Sequence, residues 1–203
     1  MKHNKKKLVW MFVLIIIFAL CVISSFRFLP NESDDTSLPM LAIETPQKIR
    51  VSTEEPVLLD VSISSLGEVR YPAMSASIDF DPLYLEFLGI EEGNVFVHDD
   101  ISNNGKKLPE WSYNVEESNH TGQIHLIYLD ITGGKYAFDH TLLEGENHIL
   151  FRLKFRLRNN ATAGDVYELN IDDAVFAATD DSQSLAVLHN TLKTKNSKLV
   201  IGE

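Results

Sequence analysis

Four pairs of closely spaced carboxylates are the first candidates for chemistry: Asp79/Asp81, Asp99/Asp100, Asp172/Asp173 and Asp180/Asp181. Hydrolysis of a glycosidic bond needs two carboxyls held about 5–9.5 Å apart across a cleft. Each pair here adjoins turn residues or sits in an alternating run, so turn formation and solubility account for them more simply. Seven histidines, His3, His98, His120, His125, His140, His148 and His189, are scattered along the chain. None forms an i, i+4 pair or a His-x-His pair of the kind that ligates a metal. Nucleophile elbow, P-loop and Gly-x-Gly-x-x-Gly motifs are absent. The sequence points away from an enzyme, and no cofactor is expected. Calcium is the one ion to consider, because it takes 6–8 oxygens and the loops "ATDDSQS" and "VHDDISNN" could supply some of them.

Carbohydrate binding would use aromatic rings set flat on an exposed face. Trp111 and Tyr113, two residues apart, share one strand face and could form a small platform. The competing role for such a pair is core packing. Asn119 in "NHT" and Asn160 in "NAT" match the glycosylation acceptor pattern, and both stand in turn-like clusters.

The first 29 residues have a composition of their own. Lys2, Lys5, Lys6 and Lys7 precede a run from Leu8 to Phe26 that is apolar apart from Ser24 and Ser25. About 20 apolar residues span a bilayer core, and the positive-inside rule places the rest of the chain outside. A cleaved signal peptide is the alternative, but its apolar core is usually shorter and ends in small residues. Cys21 does not make a lipoprotein signal, because bulky Leu20 precedes it. The expectation is a signal-anchor over residues 1–29, a short tether over 30–40 ("PNESDDTSLP" between two prolines), and one extracytoplasmic domain over 41–203.

Five of the 18 basic residues and none of the 29 acidic ones lie in residues 1–30, which leaves 13 against 29, a net charge of −16, for the remainder. Nucleic acid and anionic membrane surfaces would repel such a domain. With its one cysteine inside the apolar run, the domain has no disulfide and no thiol nucleophile, and depends on a hydrophobic core. About 150 residues suffice for one.

The elements that must position any site follow from a period of two. "VLLDVSIS", "MSASIDF", "QIHLIYLD", "HILFRLKFRLR" and "YELNIDDAVFA" alternate apolar and polar, and are separated by clusters such as "SSLGE", "EESNHTG", "ITGGK" and "NNATAG". Short strands at regular spacing predict an all-β sandwich or barrel. Asp81-Pro82 ends a strand, since proline fixes φ and removes a ladder donor. Alternation then names the faces. Met74, Ala76, Ile78 and Phe80 point inward, and Ser75, Ser77 and Asp79 point outward. Ile149, Phe151, Leu153, Phe155 and Leu157 point inward, leaving Arg152, Lys154, Arg156 and Arg158 on a basic wet face. Ile124, Leu126 and Tyr128 point inward, which places His125, Ile127 and Leu129 outside. Two large aliphatics on a wet face mark either a contact surface or a place covered by the chain's own loops.

"SASIDFDPLYLEFLGIEEGNVF" resembles the cohesin signature of a strand ending in Phe-Asp-Pro, a Leu-Glu-Phe strand and a Gly turn. "GQIHLIYLDITGGKYAF", "HILFRLKFRLRNNATAGDVYELNI" and "AVFAATDDSQSLAVLHNTLKTKNSKLVIG" are similar to later stretches of that family, in the same order, over residues 41–202. The resemblance implies an antiparallel jelly-roll sandwich of about nine strands that docks a dockerin-like protein on one sheet face. Carried over, that face comprises Ser75, Ser77, Asp79, Ile127 and Leu129, with Asp130 opening the adjacent loop. The serines depart from the Asn/Asp-type residues often found there. The expected function is a non-catalytic, membrane-anchored, extracytoplasmic protein-binding module. Carbohydrate or cell-wall binding through Trp111 and Tyr113 is the alternative.

Overall fold

The structure, a computed structural model, describes residues 38–45, 49–50, 55–95, 111–143, 145 and 148–202. The expected anchor over residues 1–29, most of the tether, His98 and the Asp99/Asp100 pair lie outside these residues. Among the described residues no helix is long and apolar enough to cross a membrane. From Leu38 onward the chain forms one compact unit.

Alternating sequence becomes strand wherever one side chain in two can be buried. The strands are β1 (Met40–Glu44), β2 (Ile49–Arg50), β3 (Val57–Ile63), β4 (Ala73–Asp79), β5 (Leu85–Glu92), β6 (Trp111–Tyr113), β7 (Gln123–Leu129), β8 (Ile149–Leu157), β9 (Val166–Ala177), β10 (Leu185–Ala186), β11 (Lys193–Lys195) and β12 (Ser197–Gly202). They form two sheets. One runs β11-β1-β3-β8-β5, the other β2-β12-β9-β4-β7-β6, with β10 joined to β9. The domain is a β-sandwich, as expected. It departs from the purely antiparallel, nine-strand expectation at its edges, where β11 pairs parallel to β1 and β2 parallel to β12. These edge segments are two or three residues long and too short to show a period.

The inner faces match the alternation except at the start of β8, where Ile149, expected inward, is only half-buried and Leu150 enters the core beside a register shift opposite Val61 and Ser62. Leu59 and Val61 of β3, Phe151, Leu153 and Phe155 of β8, and Phe87 of β5 meet Met74 and Ile78 of β4, Leu126 and Tyr128 of β7 and Phe176 of β9 in one core. Ring contacts join its layers: Phe155 lies 5.2 Å from Phe80 and 5.6 Å from Phe87, and Phe138 lies 4.8 Å from Tyr128 and 5.6 Å from Phe176. Burial of this apolar area is the main stabilising term.

The stretch "EESNHTG" is not a plain turn. Val115–Thr121 forms a short helix, α1, N-capped by the Asn114 side chain, which accepts from the Glu117 N–H at 3.1 Å. Gly122 ends it with φ of 77°. A Cβ there would meet the Phe80 carbonyl and the Pro82 ring, each at 2.9 Å, so the helix end seats directly on the Asp-Pro corner. That corner behaves as expected: the Asp81 carboxylate accepts from the Leu83 N–H at 2.9 Å, and the Asp81 carbonyl accepts from Leu85 at 3.0 Å.

Candidate docking face

The two sheets present different outer faces. On the β3-β8-β5 face, cations from β8 are matched one by one to neighbouring acids. Arg152 meets Asp60 at 2.8 Å, Lys154 meets Glu91 at 2.8 Å, and Arg156 meets Glu86 at 2.7 Å. The expected basic face is therefore neutralised across its strands. Arg158, the last residue of the expected outward row, is half-buried like the other three, and its Nε is buried without a hydrogen-bond partner.

The β9-β4-β7-β6 face has a different composition. Register sets its outward residues in rows. Ala177, Ala73 and Leu129 form the first, Val175, Ser75 and Ile127 the second, Asp173, Ser77 and His125 the third, and Asn170, Asp79 and Gln123 the fourth. The expected set Ser75, Ser77, Asp79, Ile127 and Leu129 is thus contiguous. Ile127 is 57% exposed and Leu129 60%, and Ile131 just beyond is 76% exposed. Among the described residues no loop or neighbouring strand covers Ile127 and Leu129.

Polar groups on this face satisfy one another. Ser77 Oγ and His125 Nδ1 lie 2.9 Å apart, and Gln123 Nε2 donates to Asp79 at 2.7 Å. Asp172 and Asp173 are both exposed because β9 carries an extra residue opposite Ser77 and Ile78, a bulge that breaks the alternation.

Asp130 closes the apolar end of β7 through its loop. One carboxylate oxygen accepts from the Thr132 N–H at 2.8 Å and the other from the Gly134 N–H at 2.7 Å. Gly133 and Gly134 supply φ of 77° and 101°. Burial raises the Asp130 pKa, but hydrogen bonds from Thr132, Gly134 and Tyr136 outweigh it and hold the carboxyl below its ordinary range. Burial, with the Asp130 charge nearby, pushes the Tyr128 phenol well above its usual value.

Trp111 and Tyr113 share a face, as expected, but it is the inner one. Their partners in β7, Tyr128 and Leu126, both point into the core. The Trp111 ring lies 4.7 Å from Phe151 and 5.2 Å from Tyr128. Tyr113 packs edge-on to Phe87 at 5.8 Å, and its hydroxyl accepts from the Ile90 N–H. The outward aromatic platform of the carbohydrate alternative is not formed; Ser112 takes the outer side, opposite Ile127. A three-residue strand gives parity without sign, which is why the sequence could not decide.

The Asp180/Asp181 pair serves local structure. Asp180 accepts from the Ser182 N–H at 3.1 Å within the "ATDDSQS" loop. The "VHDDISNN" loop lies outside the described residues. Among the described residues no group of three or more His, Asp or Glu is arranged to hold a metal ion.

Neither a family model nor a curated protein matches the sequence. Solved structures do match. The third cohesin of ScaC from Acetivibrio cellulolyticus, solved with the ScaB dockerin, superposes with a TM-score of 0.58 at 13% identity, covering 82% of this chain and 100% of that one. The sixth cohesin of scaffoldin B from the same organism, also solved with a dockerin, gives 0.58 at 18% identity, covering 81% and 99%. A cohesin module of a family 33 glycoside hydrolase from Clostridium perfringens gives 0.52 at 10% identity, covering 82% and 98%. The domain from Leu38 onward is cohesin-like in its fold.

Proposed function

We propose that this chain is a non-catalytic docking module that offers its β9-β4-β7-β6 face to a protein partner. The observation carrying the proposal is the difference between the two sheet faces. One is closed by ion pairs between its own strands. The other leaves Ile127 and Leu129 more than half exposed beside a floor of Ala73, Ser75 and Ser77. An aliphatic centre with a polar rim is the usual anatomy of a protein interface. The partner is a dockerin-like module, by analogy with the Acetivibrio cohesins that were solved with dockerins. The apolar run from Leu8 to Phe26 would hold the module outside a membrane.

The test is capture of a panel of purified dockerin modules by the wild-type domain and by Ile127→Asp, Leu129→Asp. Burying the exposed part of these two side chains contributes about 3 kcal/mol, roughly a hundredfold in affinity. Capture that survives both substitutions would sink the reading. For the anchor, carbonate extraction and protease shaving of intact cells should leave residues 1–29 in the membrane and release the domain.

A further inference from the structure

We infer that Asn160 accepts an N-linked oligosaccharide, and that the first sugar lies over the exposed side chain of Leu83.

Two acceptor tripeptides of the Asn-x-Thr type fall among the described residues, Asn119-His120-Thr121 and Asn160-Ala161-Thr162. The fold treats them oppositely. Asn119 is half-buried in α1, and its amide nitrogen donates to the Phe87 and Val115 carbonyls. Both amide hydrogens are used, so no sugar joins that nitrogen in the folded domain. Asn160 stands in the turn between β8 and β9. The Ala161 N–H donates to the Arg158 carbonyl at 3.0 Å, which makes Asn159 and Asn160 the central pair of a four-residue turn. Both are exposed. The Asn160 Nδ2 donates to the Leu83 carbonyl at 3.0 Å. A glycosylated amide keeps one N–H, so this bond and the sugar are compatible.

Leu83 supplies an apolar surface beside the acceptor. It is 68% exposed, and its own N–H is fixed by the Asp81 carboxylate at 2.9 Å. The apolar face of a sugar ring laid on it removes that area from water. Thr162, the third residue of the tripeptide, is also exposed. Its N–H and hydroxyl both donate to one oxygen of Asp165, at 2.8 and 2.9 Å. That clasp restrains the tripeptide from extending into a transferase.

The attachment point is clear of the docking surface. It adjoins the Asp81-Pro82 corner, which follows Asp79, whereas Ala73 and Leu129 pair at the other end of β4. Six residue steps of about 3.4 Å put about 20 Å between the two ends.

The reaction joins Asn160 Nδ2 to the anomeric carbon of an oligosaccharide carried on a lipid phosphate. The bond from that carbon to the phosphate oxygen breaks, the lipid phosphate leaves with the electron pair, and one amide proton is released. In the cell this requires export, which the apolar run from Leu8 to Phe26 would direct.

The test incubates the full chain in detergent with lipid-linked oligosaccharide and a purified transferase that requires only the Asn-x-Ser/Thr tripeptide. A protein with one exposed tripeptide serves as control. Peptide mass spectra should place a glycan on Asn160 and none on Asn119, and Asn160→Gln should remove it. Asp165→Ala should raise the initial rate several-fold by opening the clasp. If the control is modified while wild-type Asn160 stays bare, the inference is overturned. Nuclear Overhauser contacts should join the Leu83 methyls to the first sugar, and their absence overturns its placement. Protein made in an exporting, glycosylating host should carry the same glycan. Asn160 bare there but modified by the purified transferase would sink the expected export and leave the acceptor standing.

Discussion

The side-chain amide of Asn119 grips the peptide of Phe87 from both sides. Its Oδ1 accepts from the Phe87 N–H at 2.8 Å, and its Nδ2 donates to the Phe87 carbonyl at 2.8 Å and to the Val115 carbonyl at 3.0 Å. β5 is the edge of its sheet, so Asn119 supplies one rung of the ladder an absent neighbouring strand would have made and blocks pairing with another chain there. Asn119→Ala should destabilise the domain by about 2–4 kcal/mol, since two backbone groups lose their partner. Urea titration followed by fluorescence measures it. For the same reason the Asn119 amide is committed, and a glycosylating host should leave it unmodified in peptide mass spectra of folded protein.

Trp111 lies in the aromatic core, so Trp111→Ala should cost about 3 kcal/mol or more of stability. Polysaccharide pull-down by wild-type protein should give no signal for the substitution to remove. A glycan that binds the wild type and is lost without a change in melting temperature would restore the carbohydrate alternative.

Ile127→Asp and Leu129→Asp should leave the melting temperature nearly unchanged or raise it. Both side chains are more than half exposed, and surface substitutions away from special features stay within about 0.5 kcal/mol. A drop of several degrees in differential scanning calorimetry would show that the two residues hold the fold rather than serve a partner.

Asp130→Ala should release the 130–134 loop and cost about 1–3 kcal/mol at neutral pH. The wild-type carboxyl is depressed below its ordinary value by its hydrogen bonds. Its contribution is therefore complete above the unfolded pKa, near 3.9, and is lost as pH falls through the lower folded value. The stability gap between Asp130→Ala and wild type should narrow below about pH 4. A gap that is flat from neutral pH into strong acid would refute the assignment.

Most of the docking face was legible because β4 and β7 are seven residues each, long enough for alternation to show and for buried Met74, Ile78, Ile124 and Tyr128 to fix its sign. α1 escaped because its one buried position, Ser118, is polar and Val115 alone packs on the core. Ser118 and Asn119 face the sheet, and no apolar stripe marks a seven-residue helix. The available signal was Asn114 three residues before Glu117, with Gly122 beyond the end. The exposure of both Asp172 and Asp173 escaped because a bulge resets parity and is fixed by pairing with β4. The parallel edges β11 and β2 escaped for a related reason: partners distant in sequence choose the direction of such short segments.

The first strand enters the domain already held on both sides. The β1 ladder runs from Met40 to Ala42 parallel to β11 and from Leu41 to Glu44 antiparallel to β3, and the Lys193 N–H donates to the Pro39 carbonyl at 2.8 Å. A pull transmitted along β1 from before Leu38 would load both ladders in shear, so their bonds resist together instead of opening in succession. The geometry makes β1 a mechanical clamp for any load that enters the domain through its first strand.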